Sequence, residues 1–381
     1  MTLRDRLSAL HGTDAAALRA FWASVSPDEP VVERVGRSGS VRVTFLHREH
    51  RARAVHCGIA RVTDRSHWRS GLMTRVPGTD VWWLELELPA DLRAGYAFRT
   101  FDAEAPADGH FGGRPWDLVG PRPTATVELA LPDAPLPDLA TRHRPHVDVT
   151  THETPWGTAW TTSPADARTL LVLTDGRTWI EQLDLPAVLA AFVGEPVAIA
   201  ALDSGTRDER LARLGGDTGY AEFLADTCLP WARTTTGVDA DREGTWFAGQ
   251  SLGGLTALLL AARRPAAFGT VVAQSPSMWW HPAGGRTPAD MPPIDATPWI
   301  HEQLAPSPGA PTRVLLHAGT LEGTTPHHTR TAAERLRAHG HDATATPFTG
   351  GHEPLCWRAA LVQGVLKHVK STARRPPAPL R

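Results

Sequence analysis

Hydrophobic and polar residues follow two different periods along this 381-residue chain. Between residues 42 and 100 the pattern alternates with a period of two, as in Val41-Arg-Val-Thr-Phe-Leu46 and Val81-Trp-Trp-Leu-Glu-Leu-Glu-Leu88. Turn residues such as Pro77-Gly78 separate the alternating runs. This pattern predicts an antiparallel β-sandwich, with a helix over about Asp14–Ser24 before it and a last strand at Thr124–Leu131.

After a stretch at about Asp138–Thr151 that resembles a linker, apolar strands alternate with amphipathic helices. Such alternation predicts a mostly parallel sheet with helices on both faces, an α/β architecture. We therefore expect an N-terminal sandwich domain over residues 1–150 and an α/β domain over residues 151–381. The predicted strands are Thr169–Leu173, Val197–Leu202, Thr245–Ala248, Gly269–Ala273, Arg313–His317 and Ala343–Phe348; the predicted helices are Leu185–Phe192, Tyr220–Trp231, Leu255–Ala262, Pro326–Ala338 and Pro354–Val369.

Charge and apolar content narrow the function classes. The formal net charge is −2, so no basic field favours a nucleic-acid partner. Charged residues stand near the start, where a secretory signal needs an unbroken apolar core, and no later stretch approaches membrane-spanning length, so we expect a cytoplasmic protein without a membrane partner. The three cysteines, Cys57, Cys228 and Cys356, are odd in number and far apart, and we expect reduced, buried thiols.

The pentapeptide Gly249-Gln250-Ser251-Leu252-Gly253 is the only G-x-S-x-G in the chain. It lies between a predicted strand and a predicted helix, the context in which this motif carries a nucleophilic serine. Small glycines permit the sharp turn that would expose the Ser251 hydroxyl. The pattern predicts an α/β-hydrolase domain with Ser251 as its nucleophile.

A serine nucleophile needs an imidazole to accept its proton and a carboxylate to orient that imidazole. In α/β-hydrolases the chain order is Ser, acid, His. His352 follows two glycines between the last strand and the last helix, and we expect it to be the base. Glu322, after the strand Arg313–His317, is the expected acid, whereas Asp342 would lie at the opposite edge of the sheet and Glu353 beside His352 would point elsewhere.

Acyl transfer also needs donors for the tetrahedral oxyanion. The backbone N–H of Leu252, directly after the nucleophile, is the first expected donor. The strand Leu171–Thr174 runs into Asp175-Gly176, so the amide of Arg177 is the candidate for the second, with a simple β-turn as the alternative.

Fourteen tryptophans stand against two tyrosines, and Trp82, Trp246 and Trp357 are expected in the core. Trp279 and Trp280 follow Ser275-Pro276-Ser277, which comes directly after a predicted strand, and Trp179 falls on a predicted loop at the same edge. These three tryptophans are expected to line a pocket for a flat, aromatic ligand. Arg207 and Arg210 are placed in the loop after Val197–Leu202, where they would either bind an anionic substrate or simply be solvated.

Several spaced motifs resemble the enterochelin esterase family, cytoplasmic hydrolases of catecholate siderophore trilactones, over essentially the whole chain. The resemblance extends to the sandwich domain through Gly78-Thr-Asp-Val-Trp82, while the chain departs from the family pattern at Met278, Arg210 and His317. The motifs of the second domain are Leu173-Thr-Asp-Gly-Arg-Thr-Trp179, Phe223-Leu-Ala-Asp-Thr-Cys-Leu-Pro-Trp231, Ala248-Gly-Gln-Ser-Leu-Gly-Gly-Leu255, Gln274-Ser-Pro-Ser-Met-Trp-Trp280 and Gly350-Gly-His-Glu-Pro-Leu-Cys-Trp357.

The resemblance implies a serine esterase that opens the ester bonds of a ferric catecholate siderophore, with Ser251, His352 and Glu322 in the catalytic roles. No catalytic metal or cofactor is expected, since iron would arrive as part of the substrate. Two alternatives stay open: a carboxylesterase for another bulky aromatic or sugar ester, and a non-hydrolytic siderophore-binding protein on a hydrolase scaffold. The motifs indicate nothing about the oligomeric state.

Overall fold

Two groups of sheets divide the chain. The structure, a computed structural model, describes residues 2–27, 29–36, 39–105, 110–111, 114–115, 124–284, 287–304 and 309–372. Its contacts separate two units: the first comprises Met1–Pro137 with Thr349–Glu353, and the second comprises Asp138–Phe348 with Pro354–Arg381.

Two short helices, α1 (Leu3–Ala9) and α2 (Ala15–Ala23), begin the first unit. The α2 helix confirms the predicted lead-in helix, and the Asp14 carboxylate caps it by accepting hydrogen bonds from two N–H groups of its first turn. The α1 helix was not predicted, although a capping box between Thr2 and Asp5 marks its start.

The strands of the first unit are all antiparallel and form the orders β1-β2-β5-β4, β3-β6-β9 and β7-β8. Phe45 on β2 and Tyr96 on β6 place their ring centroids 5.1 Å apart, so the two larger sheets pack face to face and confirm the predicted sandwich. The strands are β1 (Val31–Arg34), β2 (Ser40–Arg48), β3 (Ala54–Ile59), β4 (Thr74–Arg75), β5 (Val81–Pro89), β6 (Arg93–Phe101), β7 (His110–Phe111), β8 (Arg114–Pro115) and β9 (Val127–Ala130), with 3-10 turns at Arg65–Gly71 and Pro137–Leu139.

The second unit contains an eight-stranded sheet of order β10-β11-β13-β12-β14-β15-β16-β17. Its strands are β10 (Thr150–Thr154), β11 (Gly157–Thr162), β12 (Thr169–Leu173), β13 (Val197–Leu202), β14 (Thr245–Gln250), β15 (Thr270–Gln274), β16 (Arg313–Gly319) and β17 (Asp342–Phe348). Its helices are α3 (Leu185–Phe192), α4 (Arg207–Leu214), α5 (Thr218–Phe223), α6 (Leu229–Thr236), α7 (Leu252–Arg263), α8 (Trp299–Gln303), α9 (Thr325–Ala338) and α10 (Pro354–Thr372), with π-helical turns at Thr178–Gln182 and Leu224–Cys228.

Six parallel strands, β12 to β17, form the body of this sheet. The chain leaves β12 for β13 on one side and then crosses to β14 on the other, so the order reverses between β12 and β14. Ligands of open α/β sheets bind at such a reversal, outside the carboxyl ends of the strands. The predicted strands and helices of this half are present, with ends displaced by a few residues.

Helices cover both faces of the parallel strands, as predicted. Side chains alternate across a strand, so Phe247 joins the core shared with α7 and α9 while Trp246 faces the other way. There the Trp246 ring lies 4.7 Å from that of His368 on α10, and a Cβ on Gly364 of the same helix would lie 3.5 Å from Leu315. The inner strands β12 to β15 are buried on both faces, which explains their nearly continuous apolar sequences.

The hairpin β10–β11 was not predicted. It adds two antiparallel strands beside β13, at the edge of the sheet. The sequence Thr150-Thr-His-Glu-Thr154 contains no apolar residue, because this edge strand has one exposed face and one face that is only partly buried. The short α8 was also missed.

The three cysteines are free and buried, which confirms that prediction. The predicted core tryptophans Trp82, Trp246 and Trp357 are likewise buried. Within the described ranges, no helix has the length and apolar character needed to cross a membrane.

Leu258 lies in the fully buried part of α7. Leu258→Ala should lower the free energy of unfolding of the second unit by about 3 kcal/mol, because removing the buried side chain leaves a cavity. The matched change Leu211→Ala removes a leucine from α4 that is 45% exposed and should cost less than about 0.5 kcal/mol. Urea titrations followed by far-UV circular dichroism measure both. Equal costs for the two variants would contradict the assignment of α7 to the core.

Candidate active site

Ser251 occupies a sharp turn between β14 and α7. Its backbone angles are φ 57° and ψ −114°, a conformation that residues other than glycine rarely adopt. Its N–H donates to the Gln274 carbonyl (2.9 Å), and its carbonyl accepts from the N–H of Leu255 (3.1 Å) and Ser277 (3.0 Å). These bonds from two neighbouring elements hold the strained turn. The predicted strand–turn–helix context of the motif is therefore present.

Three glycines let the backbones approach at this turn. A Cβ on Gly249 would clash with the Gly253 carbonyl oxygen, and one on Gly254 would lie 2.8 Å from the Gln274 carbonyl oxygen. A Cβ on Gly253 would lie 2.6 Å from Thr174 Oγ1. The end of β14, the start of α7 and the end of β12 therefore pack together more closely than any larger residue allows.

Glu322 lies at the carboxyl end of β16, as predicted, and is buried. Its Oε1 accepts from the Gly319 N–H (2.7 Å) and from the Ser275 hydroxyl (2.6 Å). The Ser275 hydroxyl in turn accepts from the Trp357 indole N–H (2.8 Å). A buried carboxylate is costly unless hydrogen-bonded, and these donors hold Glu322 in one place.

Ser275 was not among the predicted site residues. It follows β15 as Ser251 follows β14, because Gln250 and Gln274 pair in register, and it too has a positive φ of 43°. A glutamine followed by a serine at the ends of two adjacent apolar strands is the sequence signal that could have revealed it.

A row of buried polar side chains crosses the sheet beneath Ser251. The amide oxygen of Gln250 accepts from the Trp179 indole N–H (3.0 Å), and its amide nitrogen donates to the amide oxygen of Gln274 (3.3 Å). The Gln274 amide nitrogen donates to the Trp357 carbonyl (2.9 Å) and lies 3.3 Å from His317 Nδ1. Burial lowers the pKa of His317 to about 4, so its imidazole is neutral and Nδ1 can accept this bond. The row satisfies both glutamines without water.

The two expected oxyanion donors lie at the first turns of helical segments. Leu252 is the first residue of α7, and Arg177 immediately precedes the π-helical turn Thr178–Gln182. Amides at such positions have no acceptor inside their own helix. The segment after β12 is helical rather than a simple β-turn, since the Asp175 carbonyl accepts from the N–H groups of Thr178 and Trp179.

The prediction that Arg207 and Arg210 lie in a loop was wrong, because both belong to α4. Thr206 caps this helix and forms a capping box with Glu209, a start signal that the sequence analysis overlooked. Arg207 is exposed in the first turn. Arg210 is partly buried, and its Nε and Nη2 donate hydrogen bonds to the Asp175 carboxylate (2.7 and 2.8 Å).

The expected loop position of Trp179 was also wrong. Trp179 is in the π-helical turn and only 1% exposed, since its ring packs into the core and its N–H bonds Gln250. Trp279 and Trp280 do follow β15 in a turn, and both are half-buried. The Trp280 ring packs against Trp299 of α8 (centroids 4.7 Å apart), so this ring belongs partly to the core.

His352 is in the segment Thr349–Glu353, which joins β17 to α10. It is half-buried and follows the carboxyl end of β17, the position predicted from the chain order. In the first unit, which includes this segment, the Gly95 N–H lies 2.9 and 3.0 Å from the two carboxylate oxygens of Glu353. Asp342 pairs with Arg313 at the first residue of β17, the opposite end of the strand.

A cavity of about 300 Å³ opens at the carboxyl ends of β13, β12 and β14, the part of the sheet where the strand order reverses. Two of its arginines are paired with its own carboxylates, Arg177 with Asp203 (3.2 Å) and Arg210 with Asp175. Its charges are therefore largely balanced. Prominent lining residues are Asp175, Trp179, Asp203, Arg210, Gln250 and Trp357.

In the described part of the chain, no group of three or more His, Cys, Asp or Glu side chains is arranged to hold a metal ion.

Comparison with known proteins places this geometry in a family. The model of the family described as "Putative esterase" matches residues 155–368, and that of "Enterochelin esterase, N-terminal" matches residues 42–136. The iron(III) salmochelin esterase of Escherichia coli O6:H1 is 31% identical over 96% of both chains. The iron(III) enterobactin esterase of Dickeya dadantii is 27% identical over 94% of both chains.

Solved structures share the fold. The enterobactin esterase of Shigella flexneri, crystallised in the presence of 2,3-dihydroxy-N-benzoyl-glycine, superimposes with a TM-score of 0.76 over 94% of this chain and 99% of that chain, at 23% identity. The ferric enterobactin esterase of Salmonella typhimurium gives a TM-score of 0.75 over 94% and 100%, at 24% identity. The two family models and the relatives matched over nearly the whole chain show that the chain is an ester hydrolase that belongs to the enterochelin esterase family.

Proposed function

We propose that this chain hydrolyses the ester bonds of the trilactone backbone of ferric catecholate siderophores such as enterobactin, so that iron is released in the cytoplasm. The observation that carries the proposal is the strained Ser251 at the carboxyl edge of the sheet, in a chain of this family. The relatives named for iron(III) salmochelin and enterobactin support the substrate class.

In the proposed reaction, the Ser251 hydroxyl attacks the ester carbonyl while His352 accepts its proton. Negative charge develops on the carbonyl oxygen, and the N–H groups of Leu252 and Arg177 stabilise it. The tetrahedral intermediate expels the alcohol, which takes the proton from His352. Water, deprotonated by the same imidazole, then attacks the acyl-enzyme and releases the carboxylate and Ser251.

Glu322 is the proposed acid that orients His352. Its support is geometric: Glu322 is buried at the end of β16 and fixed by the Gly319 N–H and the Ser275 hydroxyl. Asp342 lies at the other end of β17 and is therefore less well supported. Glu353 directly follows His352 in the chain, a position from which we expect its side chain to point elsewhere.

The proposed substrate is a small molecule with aromatic faces, and iron is part of it. Trp279 and Trp280 after β15, together with Arg207, are proposed as substrate contacts because they lie on segments that follow the carboxyl ends of β15 and β13. Catalysis by serine, histidine and carboxylate requires no metal held by the chain, and we propose that none is used.

Ser251→Ala should abolish cleavage and leave siderophore binding intact, because only the nucleophile is lost. Chromatography with mass detection should find linear dihydroxybenzoyl-serine fragments after incubation of iron-free and ferric trilactone with the wild type, and none with the variant. The iron-free reaction should persist in a chelator such as EDTA.

Other outcomes of this experiment separate the alternatives. If the wild type cleaves a generic aryl ester but leaves the trilactone intact, the chain is a carboxylesterase for another substrate. If both proteins bind the trilactone and neither cleaves any ester, it is a binding protein. Loss of the iron-free reaction in chelator would refute the metal-free mechanism.

Glu322→Gln should lower kcat roughly 100-fold or more, because the imidazole loses the charge that orients it and stabilises its protonated form. Asp342→Asn is the matched control and should keep wild-type activity, as it lies at the opposite end of the sheet. Steady-state kinetics on an aryl ester measure both, and circular dichroism checks folding. If Asp342→Asn loses more activity than Glu322→Gln, the assignment of Glu322 as the acid is wrong.

The proposed cytoplasmic location is supported by the three buried cysteines, which are free thiols. Free thiols are usual in proteins of reducing compartments such as the cytoplasm. In fractionated cells of a native host, the chain should accompany a cytosolic marker enzyme. Recovery with a periplasmic marker would contradict this part of the proposal.

A further inference from the structure

Arg210 connects the ends of two neighbouring strands. Its Nε and Nη2 bond the two oxygens of Asp175, which follows β12, at 2.7 and 2.8 Å. Nη2 also lies 3.3 Å from the carbonyl oxygen of Gln250, the residue before Ser251. Such a two-pronged pair fixes orientation as well as distance, because the guanidinium and the carboxylate are both planar. The guanidinium is therefore engaged by the protein itself.

Asp175 determines where the segment after β12 begins its helical turn. It has a positive φ of 58°, and its N–H donates to the Ser204 hydroxyl (3.0 Å). Its carbonyl accepts from the N–H groups of Thr178 (3.0 Å) and Trp179 (3.4 Å). Arg177 lies inside this turn, so the direction of its backbone N–H depends on how Asp175 is held.

The Asp175 carboxylate also lies close to the start of α7. A Cβ on Gly253, the second residue of that helix, would be 3.8 Å from Asp175 Oδ2. The oxyanion of the proposed reaction forms at this helix start. A carboxylate there without a cation would oppose the developing negative charge, since charges interact strongly at such distances in a partly buried site.

We infer that Arg210 is a positioning residue of the oxyanion hole: it holds Asp175, and through it the Arg177 amide, and it neutralises a carboxylate that would otherwise repel the oxyanion. The inference rests on the proposed hydrolytic function and replaces the expected role of Arg210 as a substrate contact. The Asp175–Arg210 pair thereby connects the segment after β12, which carries the Arg177 amide, to the end of β14, which leads into the Leu252 amide.

The test compares Arg210→Gln, Asp175→Asn and the double variant on an uncharged aryl acetate. Arg210→Gln should lower kcat roughly 10- to 100-fold with KM changed less than about twofold, because the loss occurs in the transition state. The double variant should be several-fold faster than Arg210→Gln, because removing the unpaired carboxylate relieves the repulsion. A role confined to packing would give no such recovery.

Arg213→Gln is the matched control. Arg213 lies one turn later in α4, is equally exposed, and also pairs with a carboxylate, Glu209 (3.7 Å), and a carbonyl, that of Trp156 (3.3 Å). It should retain wild-type kcat. If it loses as much as Arg210→Gln, the effect comes from disturbance of α4 and the inference is wrong. It is also wrong if the loss at Arg210 appears in KM and only with the anionic siderophore, which would identify a substrate contact.

Hydrogen exchange separates this inference from the proposed function. Amides of residues 174–182 should exchange faster in Arg210→Gln than in the wild type. Their exchange rates should be the same in Arg213→Gln as in the wild type. This readout needs no turnover. If the wild type hydrolyses neither the aryl acetate nor the siderophore, that result therefore refutes the proposed hydrolytic function and leaves the exchange result to be judged separately. Unchanged exchange in Arg210→Gln refutes the positioning role of Arg210, whatever the activity.

Discussion

At Gly249 the backbone of β14 lies so near the start of α7 that a side chain there would clash with the Gly253 carbonyl oxygen. This close approach forces the chain through the strained conformation of Ser251, and hydrogen bonds to the end of β15 hold it there. The same approach brings Thr174, at the end of β12, against Gly253. The geometry of the whole carboxyl edge depends on this contact between backbones.

Charge at this edge is arranged so that negative groups are compensated before a substrate arrives. Asp175 and Asp203 each have an arginine, and Glu322 has the Gly319 N–H and the Ser275 hydroxyl. Acyl transfer creates one further negative charge, so an uncompensated carboxylate nearby would raise the barrier. Arg210, one of the two arginines that would suit an anionic ligand on sequence grounds, thus pairs inside the protein instead.

Local patterns identified the strands and helices that bury apolar faces, because burial on both sides of a parallel sheet leaves a continuous apolar run. Two of the elements that they missed have little burial. The edge strand β10 has no apolar residues that could form an alternating pattern, and α4 is a polar helix whose start is marked only by its capping box. Missing α4 placed Arg207 and Arg210 in a loop.

The sequence by itself determined the two architectures, the strained turn at Ser251 and the order of Ser251, Glu322 and His352, because these depend on residue types at neighbouring positions and on chain order. Only the tertiary structure decided the partners: Ser275 on Glu322, Arg210 on Asp175, and the row from Trp179 through Gln250 and Gln274 to His317. Each of these contacts joins residues far apart in the chain. Their meeting is set by strand order and register, which a local pattern does not encode.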